Sequence, residues 1–220
     1  MVVPGRPLVK ICGITNLQDA LSAVEAGCDA VGFIFYRKSL RYIAPAKAAS
    51  IIFSLPKRIL KVGVFVDAKP AFILKTAKKC GLDAVQLHGN ESPEFCRAIK
   101  SCRVIKAVRV KSRLEEKELK KYKVWGFLFD TYSTTARGGT GKVFDWKMLY
   151  GLKTKRKVFL SGGLRAGNVA RAIAKVRPDW VDASSCLERS PGNKDARKMA
   201  EFVSRVRNVI NRVPRKLKQN

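Results

Sequence analysis

The sequence predicts an α/β fold: a closed ring of eight parallel strands, each followed by helical cover, in a single domain. Eight short apolar runs rich in Val, Ile, Leu and Phe recur along the 220 residues, and amphipathic stretches separate them. The strand starts are spaced by roughly 20 to 33 residues, the length of one strand–helix unit. An open doubly wound sheet shares that rhythm. The count of eight favours the closed (β/α)8, or TIM, barrel, and no glycine-rich dinucleotide turn follows the first run.

Taken in order, strands are expected at 8–12, 30–35, 61–66, 84–87, 104–108, 126–130, 158–161 and 180–184. Runs this short and this apolar suit strands covered on both faces. Asn16 can cap a first helix that reaches Glu25 and is ended by Gly27. Further helices are expected over 45–54, 70–80 with Gly81 as the stop, 92–101, 112–122, 145–149, 168–176 and 194–210. The stretch 111–123 is so highly charged that its helix reads as a solvated cover. The barrel is assigned to residues 1–210, and 211–220 form a basic tail expected to be frayed.

Forty-five Lys and Arg against 17 Asp and Glu give a formal charge of +28. A hydrophobic share of 46% excludes a disordered chain. No apolar run approaches about 18 residues, so no membrane-spanning helix is expected. The first residues lack the charged and apolar regions of a secretory signal, so a cytoplasmic protein is expected. The charge attracts anions, whether phosphorylated metabolites, nucleic acid or an acidic membrane face. The basic residues are spread along the chain with no dominant block, and aromatics are not interleaved in their densest patches in the manner of a base-stacking surface, so nucleic acid is weakly supported and a small anionic substrate is preferred. The six cysteines form no C-x-x-C pair and His88 is the only histidine, which argues against a zinc site and against a disulfide framework.

In such a barrel the active site lies at the carboxyl ends of the strands. Those ends present Cys12, residues 35–41, Asp67, His88, Arg109, Asp130, the pair Gly162 and Gly163, and the pair Ser184 and Ser185. Gly162 and Gly163 follow strand seven, while Asp182, Ser184 and Ser185 close strand eight. Glycines let backbone N–H groups approach an anion, and these two loops are the usual phosphate cradle; an ordinary tight turn is the competing reading. Cys12 ends strand one and is followed at once by glycine, so its thiol should face the mouth rather than the core. A thiol with an ordinary pKa of about 8.5 serves as a general base if positive charge lowers it. Asp130 directly follows three large apolar residues; capping or pairing with a nearby cation is its bland role. Strand six lies three steps from strand one round the ring, so Cys12 and Asp130 should face each other. An acid and a base on opposite sides of one ligand suit a proton-transfer isomerisation. Arg41, in the loop after strand two, either clamps a carboxylate bidentately or belongs to a solvated basic loop. Residues 137–142 look superficially like a nucleotide loop, but Ala136 and Val143 break that pattern, and a mobile lid hinged on three glycines fits better.

The segments VKICGITNLQDA at 9–20, DAVGFIFYRKSLRYI at 29–43, VGVFVD at 62–67, DAVQLHGNES at 83–92, FLFDT at 127–131, GGTGKVFDW at 138–146, LSGGL at 160–164 and VDASSCLE at 181–188 occur in this order over nearly the full chain. Together they resemble the phosphoribosylanthranilate isomerase family of tryptophan biosynthesis. The resemblance implies a (β/α)8 barrel that converts N-(5-phosphoribosyl)anthranilate into 1-(2-carboxyphenylamino)-1-deoxyribulose 5-phosphate, with no cofactor and no metal. It implies Cys12 as the general base, Asp130 as the general acid and Arg41 as the holder of the anthranilate carboxylate. Gly162, Gly163, Ser184 and Ser185 would bind phosphate, with Asp182 beside them on the substrate. His88 either orders the site or caps a loop. A monomer is expected, with a dimer left open. Two departures stand out: Arg37 where the family commonly has Pro, and Cys186 where Gly often follows the second serine. The rivals are another sugar-phosphate barrel, of epimerase or indoleglycerol-phosphate synthase type, and, from a different class, a basic nucleic-acid-binding protein.

Overall fold

A computed structural model describes residues 6–112, 114–131, 145–152 and 154–209. Strands β1 (Leu8–Cys12), β2 (Ala30–Ile34), β3 (Leu60–Phe65), β4 (Ala84–Leu87), β5 (Arg103–Val110), β6 (Gly126–Thr131), β7 (Lys157–Leu160) and β8 (Trp180–Ala183) pair side by side in chain order. All eight ladders are parallel, and β8 closes on β1 with Lys10 opposite Asp182. The (β/α)8 barrel read from the sequence is therefore the fold. Among the described residues no helix is long and apolar enough to cross a membrane.

The outer cover is α1 (Leu17–Glu25), α2 (Pro45–Phe53), α3 (Pro70–Cys80), α4 (Pro93–Ala98), α5 (Glu116–Lys120), a 3-10 helix at Trp146–Leu149, α6 (Ala166–Val176) and α7 (Ala196–Arg207). Local chemistry sets the ends. The Asn16 side chain accepts from the Asp19 amide at the start of α1, proline opens both α2 and α3, and Gly81 ends α3 in the left-handed region at φ 63°.

Several boundaries differ from those expected. The charged stretch 112–122 yields only the five-residue α5, and 145–149 is a 3-10 turn rather than an α-helix. Charged residues with few apolar positions supply little packing to stabilise a longer helix. Lys194 does not open the last helix. It pairs in a small hairpin, β9 (Glu188–Ser190) with β10 (Asn193–Lys194), and Asp195 caps α7 by accepting from the Arg197 and Lys198 amides. The expected lid at 137–142 and the expected tail at 211–220 lie outside the described residues.

Successive strand residues face opposite sides, so every second side chain enters the barrel. The outward positions pack against the helices in one continuous apolar layer. The inward positions form a separate cluster that includes Val62, Ile105, Leu128, Phe159 and Trp180. At the amino-terminal end Phe159 stacks on Trp180 with centroids 5.0 Å apart and planes 15° apart, and Trp125 meets both edge-on. Each large side chain buried there contributes about 1.5–3 kcal/mol. The same alternation brings Lys10, Cys12, Gln86, His88, Asp130, Asp182 and Ser184 to the inner wall, toward the opposite, carboxyl end.

Candidate active site

Cys12 is the last residue of β1, and it is almost wholly buried. Its thiol lies over Gly32 of β2: a Cβ there would sit 2.7 Å from the sulfur. Glycine at that strand position is what makes room for the thiol. Burial pushes the Cys12 thiol up, Lys10 opposes it, Asp182 adds to the rise and Lys194 opposes it, with a net upward shift. Lys10 is fully buried and donates from Nζ to Asp182 Oδ1 at 2.7 Å. Burial alone would depress the lysine, but the charges of Asp182 and of a Cys12 thiolate outweigh it, so Lys10 is held above its ordinary value. Asp182 Oδ2 accepts from the Ser161 hydroxyl at 3.2 Å.

Across the mouth Asp130 stands near the end of β6, 6% exposed. Its Oδ1 accepts from the next amide, Thr131, at 2.8 Å, and its Oδ2 lies 3.3 Å from His88 Nε2. The other ring nitrogen of His88, Nδ1, lies 2.8 Å from Gln86 Nε2. The loop that carries His88 is tied down from below. Lys106 donates to the Gly89 carbonyl at 2.8 Å and to Glu91 Oε2 at 2.6 Å, while Glu91 accepts from the Gly89 and Asp67 amides.

Arg41 grips a carboxylate bidentately, and that carboxylate is Glu188. Nε and Nη2 donate to its two oxygens, both at 2.8 Å. Lys194 Nζ also donates to Glu188, at 2.8 Å, and to the Ser184 carbonyl at 3.2 Å. Burial pushes Glu188 up, but the Arg41 hydrogen bond and the Lys194 charge overcome it and hold the carboxyl below its ordinary value. Lys194 is depressed by burial more than Glu188 raises it.

Loops seven and eight complete the mouth. Gly162 and Gly163 have φ of 86° and 63° and lead into α6. Ser184 donates to the Cys12 carbonyl at 2.9 Å, so the end of β8 is pinned to the end of β1. Ser185 begins a three-residue 3-10 helix that includes Cys186.

One cleft is lined by Cys12, Arg41, His88, Asp130, Gly162, Gly163, Asp182, Ser184 and Ser185, all of them expected at the site, and by Cys186. Its wall on the side of β2 and β3 is apolar, from Ile34, Val64 and Val66. Two strand-end residues do other work. Asp67 accepts from the Asn90 amide at 2.6 Å, and Arg109 donates to the Asn90 side chain at 2.7 Å, which braces the rim. Arg37 lies 5.9 Å over the Tyr42 ring. Sequence reasoning missed Lys10, Gln86, Ser161, Glu188 and Lys194. Lys10 carried a usable signal, since a charge inside an apolar strand needs a buried partner.

The cleft's residues sit within a segment that matches as a whole. The family model described as N-(5'phosphoribosyl)anthranilate (PRA) isomerase matches residues 9–205. The chain belongs to the N-(5'-phosphoribosyl)anthranilate isomerase family. The family member of Pelobacter propionicus is 51% identical over 195 residues, covering 89% of this chain and 93% of its own length. That of Geobacter sp. strain M21 is 51% identical over 201 residues, covering 91% and 98%. Among solved isomerases of the family, the phosphoribosyl anthranilate isomerase of Thermus thermophilus superposes with a TM-score of 0.85 at 35% identity, covering 91% of this chain and 98% of that one. The Thermotoga maritima isomerase gives 0.83 at 44% identity with the same coverage. A further isomerase structure, in complex with reduced 1-(o-carboxyphenylamino)-1-deoxyribulose 5-phosphate, gives 0.79 at 42% identity, again covering 91% and 98%.

Proposed function

We propose that this isomerase performs the Amadori rearrangement of N-(5'-phosphoribosyl)anthranilate, with Asp130 as general acid and Cys12 as general base. The observation that carries the reading is that the inward-facing ends of β1 and β6 line one cleft together with the loops after β7 and β8. Asp130 protonates the ribose ring oxygen; the ring C–O bond breaks and the anthranilate nitrogen becomes a Schiff base. Cys12 then removes the C2 proton, which leaves an enolamine, and tautomerisation gives the ketone. The second step needs Cys12 as the thiolate; burial works against that form, and the ammonium groups of Lys10 and Lys194 favour it.

The phosphate is assigned to the backbone of Gly162, Gly163, Ser184 and Ser185, and Asp182 to the sugar hydroxyls. Ile34, Val64 and Val66 supply an apolar wall for the anthranilate ring. Among the described residues the Arg41 guanidinium donates to Glu188 through Nε and Nη2, so Nη1 is the nitrogen assigned to the substrate carboxylate. The expected cytoplasmic location and monomeric state belong to the same proposal; sedimentation reads the latter.

The test follows the fluorescence of phosphoribosylanthranilate with pure protein. Rapid loss is expected with wild type. Cys12→Ala and Asp130→Asn should each lower the rate by at least about 100-fold, the scale of a lost general acid or base. Near-wild-type turnover in either variant removes that residue from the mechanism. No turnover, with tight binding to nucleic acid that weakens steeply with salt, would favour the other class of function.

A further inference from the structure

The structure assigns Gln86 a positioning role: by donating its amide N–H to His88 Nδ1 it fixes the ring proton on Nε2, so that His88 presents an N–H to the carboxylate of Asp130. The inference deepens the proposed function and rests on Asp130 being the acid.

Gln86 and His88 sit two residues apart on the inward face of β4 and its end, 2% and 9% exposed. Both line the cleft, as does Asp130. The chain of contacts is short: Gln86 Nε2 to His88 Nδ1 at 2.8 Å, then His88 Nε2 to Asp130 Oδ2 at 3.3 Å. A ring nitrogen that accepts a hydrogen bond carries no proton, so in a singly protonated imidazole the proton is on the other nitrogen. A glutamine is unusual as the orienting partner because its amide can offer either a donor or an acceptor. Here the donor faces the ring, and the acceptor, Gln86 Oε1, is buried with no hydrogen-bond partner among the described residues. Leaving a buried carbonyl unmatched is costly, so this orientation asks for a compensating gain. The histidine supplies it. His88 Nε2 is also buried and has no aligned hydrogen-bond partner among the described residues, and Asp130 Oδ2 stands 3.3 Å from it. Catalytic hydrogen bonds are often long before substrate is bound and tighten afterwards.

The chemistry that follows is simple. When Asp130 gives its proton to the ribose ring oxygen, it becomes a carboxylate in a nearly closed site. An N–H 3.3 Å from Oδ2 can tighten onto that anion as it forms, while Thr131 N–H serves Oδ1. The opposite tautomer would aim a lone pair at the new charge. Gln86 does not touch the reacting atoms; it acts through His88.

The chain has a single histidine, so one labelled residue reports the tautomer without assignment. With ring-15N histidine in the full-length protein, the wild-type spectrum should show the protonated nitrogen at Nε2. Gln86→Glu offers only acceptors to Nδ1 and should move the proton there. Its kcat should fall by about 10-fold or more, less than the loss given by removing the acid itself, with KM within about twofold. Gln86→Leu should lose kcat likewise. A wild-type ring protonated at Nδ1 or at both nitrogens overturns the inference, and that arm needs no variant to fold. So does a Gln86→Glu enzyme with its proton moved and its kcat intact. An Asp130→Asn enzyme of wild-type speed overturns the acid's assignment and this inference together, whereas an Nδ1-protonated ring in an enzyme that still needs Asp130 overturns this inference alone.

Discussion

Lys10 and Asp182 form a 2.7 Å ion pair across the seam where β8 closes on β1, and both side chains are almost fully buried. Such a pair is sensitive to the loss of one partner, because the survivor is a buried charge without a counter-ion. Lys10→Met should therefore lower unfolding free energy by about 3–5 kcal/mol, and Lys10→Met combined with Asp182→Leu should recover most of that loss. Urea midpoints of the two variants and wild type measure it.

Reactivity of the thiol offers a second check. Cys12 is pushed above its ordinary value by burial, against the charges of Lys10 and Lys194. A raised thiol has little thiolate below that value, so alkylation of Cys12 by iodoacetamide should still be accelerating as pH rises through 9. Lys194→Met removes one opposing charge and should slow alkylation at every pH below that. Peptide mapping separates Cys12 from the five other free cysteines.

The Arg41–Glu188–Lys194 cluster predicts part of the acid response. Glu188 is held below its ordinary value of 4.5 in the folded chain. The unfolded chain binds its proton first as pH falls, so the cluster's stabilisation is complete above that value and is lost as pH drops through the lowered native one. Glu188→Gln should be less stable at neutral pH and should show a flatter dependence between about pH 5 and 3. Denaturation curves at stepped pH read both.

Two glycines should behave in opposite ways. Gly162 has φ of 86°, and a Cβ there would fall 2.8 Å from the Thr131 amide and 3.1 Å from Asp130 Oδ1. Gly162→Ala should cost about 1–3 kcal/mol for the backbone conformation alone and should slow turnover by displacing Asp130. Gly167, inside α6, has nothing within 4 Å of a built Cβ. Gly167→Ala should raise stability by about 0.5 kcal/mol with rates unchanged. Thermal melts and the fluorescence assay decide both.

The barrel and the two strand-end residues Cys12 and Asp130 that share the cleft were legible because they rest on local patterns. Cys12 and Asp130 each close an apolar run, and strand ends in this architecture point at the ligand. The partners that tune the site were not. Glu188 meets Arg41 across 147 residues of sequence, a pairing that no local pattern encodes. Lys194 read as the first turn of a helix, but its pairing with Glu188 in the β9–β10 hairpin overrides helix propensity. Gln86 read as one more strand residue; its value lies only in what stands two positions on. The charged stretch around α5 shows the converse error, a pattern with good propensity and too little apolar surface to extend it.

The aromatic stack of Trp125, Phe159 and Trp180 closes the amino-terminal end of the barrel. Among the described residues the cleft is thus a cul-de-sac with a single doorway. A reactant and the compound it becomes must use the same threshold in turn, so a compound still seated bars the next reactant.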